Sequence, residues 1–144
     1  MKKILLCAAS FVSLFASDLE VLNVYVKENP PHSKNTAMFM DIKNNTKNDI
    51  TLLKAETNLS DIAELHNNIN EDGKMRMFQV PNITIKANST TSLKPGGLHV
   101  MVFDLKQNIT KDTKAELILY FDNNKSIEIN DIEARKIVKN NATK

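Results

Sequence analysis

The chain has 144 residues, of which 42% are hydrophobic and 25% charged, with only 3 Gly and 4 Pro. That suits one globular domain and excludes a fibrous, low-complexity or wholly disordered chain. The net charge of +2 vanishes without Lys2 and Lys3, leaving 17 basic against 17 acidic residues, so no nucleic-acid or other charge-driven partner is expected.

Lys2 and Lys3 precede an apolar stretch over residues 4–15, too short to stay in a bilayer as a spanning helix. With small residues at Ala16 and Ser17, this reads as an export signal over residues 1–17, cleaved near Ala16 or Ser17. The mature protein is then expected in the periplasm, with no stable membrane insertion. Cys7 is the single cysteine and lies inside the apolar stretch, behind Leu6 rather than the small residue a lipid-anchored cysteine requires. The mature chain is therefore expected to have no disulfide and no thiolate ligand.

Beyond residue 17 the pattern is β. Short runs of β-branched and aromatic residues cover 21–26, 36–42, 50–55, 62–65, 75–80, 83–85, 98–105, 115–121 and 126–129. Between them stand turn signals such as Asp72-Gly73, Pro95-Gly96-Gly97 and Asp122-Asn123-Asn124. Strands at this spacing, without helical periods between them, describe one all-β domain over residues 18–132. The expected architecture is an immunoglobulin-like or cupredoxin-like sandwich or barrel. Residues 133–144 read as a polar tail, either frayed helix or disordered.

Four residues in this β pattern bear on chemistry. His66 is followed after ten residues by Met77, after twenty-one more by His99, and after one more by Met101. Thioether sulfur is a soft, neutral donor and imidazole a borderline one, a combination that selects Cu(I). Zn²⁺ prefers thiolate, imidazole and carboxylate. A blue-copper electron carrier needs a cysteine thiolate. His99 and Met101, two residues apart on an expected strand, share a face. They follow a turn, and all four residues are expected to converge at one rim of the sandwich. Met75 reads either as a reserve donor or as a packed or exposed residue; Met38 and Met40 as core; His32 as a loop residue. Asp61, Glu64, Glu71 and Asp72 read as solvated. No catalytic triad, carboxylate pair or phosphate-cradling loop is present in the sequence, and no enzyme is expected. Asn58 and Asn124 sit in Asp/Glu-x-Asn-x-Ser patterns similar to the extended sequon of bacterial N-glycosylation, a match that an Asn-rich chain also produces by chance.

The spacing His-x10-Met-x21-His-x-Met, with the text GKMRMF over residues 73–78 and LKPGGLHVMVFDL over residues 93–105, resembles the periplasmic copper chaperones called PCu(A)C. The resemblance spans residues 21–132. It implies a cupredoxin-like β-barrel holding one Cu(I) per chain on His66, Met77, His99 and Met101. It also implies delivery to a recipient such as the copper site of cytochrome c oxidase or a Sco-type thiol protein. The sequence departs from the family in having Asn68 where many members have a second Met. Its tail also lacks the His and Met that some members use for Cu(II), so one Cu(I) site and no strong Cu(II) site are expected. The rival readings are a metal-free immunoglobulin-like adhesion or assembly module, an exported electron carrier, and a periplasmic copper buffer.

Overall fold

The computed structural model describes residues 17–138, so all but the last residue of the expected export signal and the last six residues of the expected tail lie outside the described residues. Within them, ten strands follow one another: β1 Leu19–Lys27, β2 Thr36–Asn44, β3 Ile50–Thr57, β4 Ile62–Glu71, β5 Lys74–Gln79, β6 Ile83–Ile85, β7 Ser89–Leu93, β8 His99–Phe103, β9 Lys114–Phe121 and β10 Ser126–Arg135. They form two layers. One runs β5-β4-β8-β2-β1, with β7 also paired to β2; the other runs β10-β9-β3-β6. A short parallel pairing joins the layers, Val26 opposite Ala134 and Lys27 opposite Arg135. The all-β sandwich expected from the sequence is the fold observed.

Alternation decides which side chains fill the space between the layers. On β2 these are Met38, Met40 and Ile42, on β8 Val100 and Val102, on β3 and β6 Leu52 and Ile85, and on β9 Leu117 and Leu119, all buried. Met38 and Met40 are core residues, as the pattern implied. The outward-facing Ala37 and Phe39 of β2 are buried as well, which is unusual for a solvent-side face and marks where the candidate site lies.

Three elements differ from the expectation. Strand β4 does not stop at Leu65 but runs to Glu71, through the polar residues Asn67, Asn68 and Asn70. Its extension is set by Asp72 and Gly73, both with positive φ (51° and 79°), which make the two-residue turn whose twist matches a hairpin. Strand β10 passes Ile129 because Asp131, with φ of 54°, absorbs a bulge; Ile132 is then buried and the strand continues to Arg135. Residues 133–135 therefore belong to the sheet and not to a polar tail. Strand β7 was not expected, since Ser-Thr-Thr-Ser has no apolar alternation; its pairing with β2 over five residues holds it in place.

Asn44, at the end of β2, is fully buried and ties the layers together. Its Nδ2 donates to the carbonyls of Asn48 and Ile85, and its Oδ1 accepts from the amide and hydroxyl of Thr46. Replacement by Ala leaves several of these partners unmatched in a dry environment, each at about 1–3 kcal/mol. We expect Asn44→Ala to lower unfolding free energy in urea by roughly 3 kcal/mol. A loss below about 0.5 kcal/mol, the size typical of an ordinary surface substitution, would contradict the role.

Candidate metal centre

The hairpin turn at Asp72-Gly73 pairs Glu71 with Lys74, and counting back along the ladder puts Asn68 opposite Met77 and His66 opposite Gln79. On its other side β4 pairs with β8, and there His66 stands directly opposite His99 while Glu64 stands opposite Met101. Directly opposed residues share a face, so His66, His99, Met77 and Met101 all project from the same outward face. Met77 and Met101 are each one diagonal step from His66, a separation of roughly 7–8 Å that long side chains bridge. The ten-residue spacing between His66 and Met77 is thus five residues to the turn, the two of the turn, and three back.

The start of β8 has its own local cause. Gly97 donates its amide to the carbonyl of Lys94, with Pro95 and Gly96 at the centre of the turn and Gly96 at φ of 85°. Pro fits the first central position and Gly the positive φ of the second. This turn separates β7 from β8 along the side of β2, and it leaves the Gly97 carbonyl where His99 Nδ1 donates to it at 2.9 Å. A carbonyl only accepts, so Nδ1 carries the proton and the lone pair of His99 sits on Nε2.

His66 has the opposite arrangement. Its Nε2 lies 2.7 Å from Oε2 of Glu64, an acceptor, so Nε2 carries the proton and the lone pair is on Nδ1. That Nδ1 is buried with no hydrogen-bond partner, and among the described residues it is the one buried side-chain N or O atom in that condition. Such an atom costs about 1–3 kcal/mol.

Both rings are buried, 6% exposed for His66 and 3% for His99, with centroids 5.8 Å apart at 36°. Phe39 lies 6.2 Å from His99, and Phe103 lies 5.6 Å from His66. Tyr25, carried onto the same face after a bulge in β1, packs 5.3 Å from Phe39. Beside the rings a cavity of about 550 Å³ is lined by His99, Met101, Asn68, Phe39 and Pro30, among others. Met101 is half-buried, whereas Met77 is 44% exposed on β5, every residue of which faces solvent.

The four sequence candidates therefore share a face, but they sit on the outside of a sheet and not at a rim of the sandwich. His66 lies inside β4 because that strand is longer than its apolar run. Glu64, read as solvated, is hydrogen-bonded to His66; its position two residues before His66 on a strand was the available signal. Asp61, Glu71 and Asp72 are exposed. Met75 is 57% exposed on the same face as Met77, and His32 stands exposed in a turn. The arrangement presents two free imidazole lone pairs with a thioether on either diagonal, a donor set suited to a soft monovalent metal ion.

Against known proteins, the model of the family described as "Putative lipoprotein LpqE-like" matches residues 19–132. A curated relative from Leifsonia xyli subsp. xyli, "Putative lipoprotein Lxx21020", is 29% identical over 74% of this chain and 63% of its own. The chain covers between half and two-thirds of the length of the curated relatives it matches. Among solved structures, an apo PCuAC domain from PmoF1 superposes with a TM-score of 0.70 at 19% identity, covering 83% of this chain and 96% of that one. The Cu(I) form of DR1885 from Deinococcus radiodurans superposes with a TM-score of 0.63 at 25% identity, covering 83% and 78%. These neighbours share the fold of this chain.

Burial holds the His99 pKa below the ordinary histidine value, against the opposing pull of the hydrogen bond to Gly97. The ring is neutral at pH 7. The unfolded chain takes up this proton first, near pH 6.5. The stability that His99 contributes is therefore present above about 6.5 and is lost as pH falls through the lower folded value. We expect the Tm of the metal-free protein to drop between pH 7.5 and pH 5, with a shallower drop in His99→Gln. An unchanged slope in the variant would contradict the assignment.

Proposed function

We propose that this chain, which belongs to the LpqE-like family, is an exported, non-catalytic carrier of copper(I) that holds one ion on His66, Met77, His99 and Met101. The observation that carries this reading is the unpartnered, buried Nδ1 of His66 opposite His99, with a methionine on each diagonal. A buried acceptor with no donor is a standing cost unless a cation takes its lone pair. Two thioethers in the set favour a soft ion over Zn²⁺ or Mg²⁺. Four neutral donors leave the site with the single charge of Cu(I), which burial tolerates better than a divalent charge. The Cu(I) state of the similar DR1885 structure supports the same cargo. The lipoprotein names of the family and of its Leifsonia relative support export, as does the basic and apolar N-terminal sequence.

Capture and release follow from where each donor sits. The two imidazoles are buried and packed against Phe39 and Phe103. Met77 is the most accessible donor of the set, exposed on the edge strand β5. An incoming thiolate or imidazole of a recipient exchanges first with this thioether, and the ion then leaves through the open side by stepwise ligand exchange. The recipient we propose is a copper-accepting protein such as the copper site of cytochrome c oxidase or a Sco-type thiol protein. Retention against excess copper would use the same site.

The test is an anaerobic Cu(I) competition titration against a chromogenic chelator. We expect one equivalent in the wild type. In Met101→Leu, which keeps volume and costs less than about 1.5 kcal/mol of stability, affinity should fall at least about tenfold, the loss typical of a weakened metal site. Failure of the wild type to compete would contradict the copper reading.

A further inference from the structure

Glu64 belongs to the same face as the four candidate donors, directly opposite Met101 and two residues before His66. Its side chain is 32% exposed, and it spends one carboxylate oxygen on His66 Nε2 at 2.7 Å. Among the described residues no main-chain group competes for that proton, whereas the equivalent restraint on His99 comes from a backbone carbonyl and acts on the other nitrogen. The two rings are therefore held in opposite tautomers: Nδ1 free on His66, Nε2 free on His99. A hydrogen bond to the far nitrogen of a ligating imidazole fixes its tautomer and orientation and raises its basicity.

We propose that Glu64 is the positioning residue of the centre, holding the His66 ring so that copper is met by Nδ1 of His66 and Nε2 of His99. This rests on the copper reading above and adds to it a specific nitrogen on each ring. It gives the carboxylate two effects. The hydrogen bond keeps the His66 ring from turning Nδ1 away, and the negative charge beside a cationic, partly buried centre offsets the charge the ion brings. Because Glu64 is only partly buried, its loss removes the hydrogen bond without leaving a buried charge or a cavity.

The experiment is long-range ¹H–¹⁵N NMR on the metal-free and Cu(I)-loaded full chain, for wild type and Glu64→Leu, beside the competition titration. In metal-free wild type we expect His66 protonated at Nε2, with that proton slow to exchange, and in Glu64→Leu fast exchange of the same proton. On loading, the ¹⁵N shifts should move at Nδ1 of His66 and at Nε2 of His99. Glu64→Leu should bind Cu(I) about tenfold more weakly, within the range of lost outer hydrogen bonds to metal ligands, while its circular dichroism shows the wild-type β fold. A metal-free His66 protonated at Nδ1, copper moving Nε2 of His66, or full affinity in Glu64→Leu would each overturn the assignment while leaving copper binding intact. A wild type that binds no Cu(I) would instead overturn the copper reading, and the metal-free spectra would still decide whether Glu64 holds the tautomer.

Discussion

The centre depends on one constraint, the antiparallel register that sets His66 directly opposite His99. It belongs to the β4–β8 ladder, and two turns place the neighbouring strands around it. Asp72-Gly73, with both residues at positive φ, closes the β4–β5 hairpin at one possible pairing. Pro95-Gly96-Gly97 ends β7 and begins β8 at His99. A slip of one residue in the β4–β8 ladder would turn one histidine into the core and bring Leu65 or Val100 to the surface. The apolar filling between the layers thus enforces the polar arrangement outside them, since Leu65, Val100 and Val102 fit only in the observed register.

That arrangement works against stability locally. Two imidazoles sit among Tyr25, Phe39 and Phe103, one with a buried lone pair facing no donor. The rest of the fold supplies the compensation, through a continuous core from Val26 to Leu119 and polar ties such as Asn44. Unsatisfied groups of this kind collect where a protein binds something, because the ligand and not the fold completes them.

Much of this was legible in the sequence. Alternation and turn residues located nine of the ten strands, and the His and Met spacing singled out residues that prove to share a face. What remained hidden depended on pairing. β7 has no apolar pattern of its own and exists because β2 offers it a partner. The far half of β4 is polar because an edge hairpin is wet on both sides, so its strand character could not be read from hydropathy. The cavity that Ala37 and Phe39 line on the outer face is also lined by Asn29, Pro30 and Ser33, from a stretch between β1 and β2 that no apolar alternation marks. Glu64 reads as a solvated acid in the sequence because its partner His66 lies just past the apolar run of residues 62–65.

The central claim is that a soft, neutral set of two imidazoles and two thioethers holds Cu(I). X-ray absorption at the copper edge, on the full chain loaded under anaerobic conditions, addresses it directly. The account predicts a monovalent copper with two sulfur and two nitrogen neighbours, and one sulfur fewer in Met77→Leu. A copper bound by nitrogen and oxygen alone would contradict it.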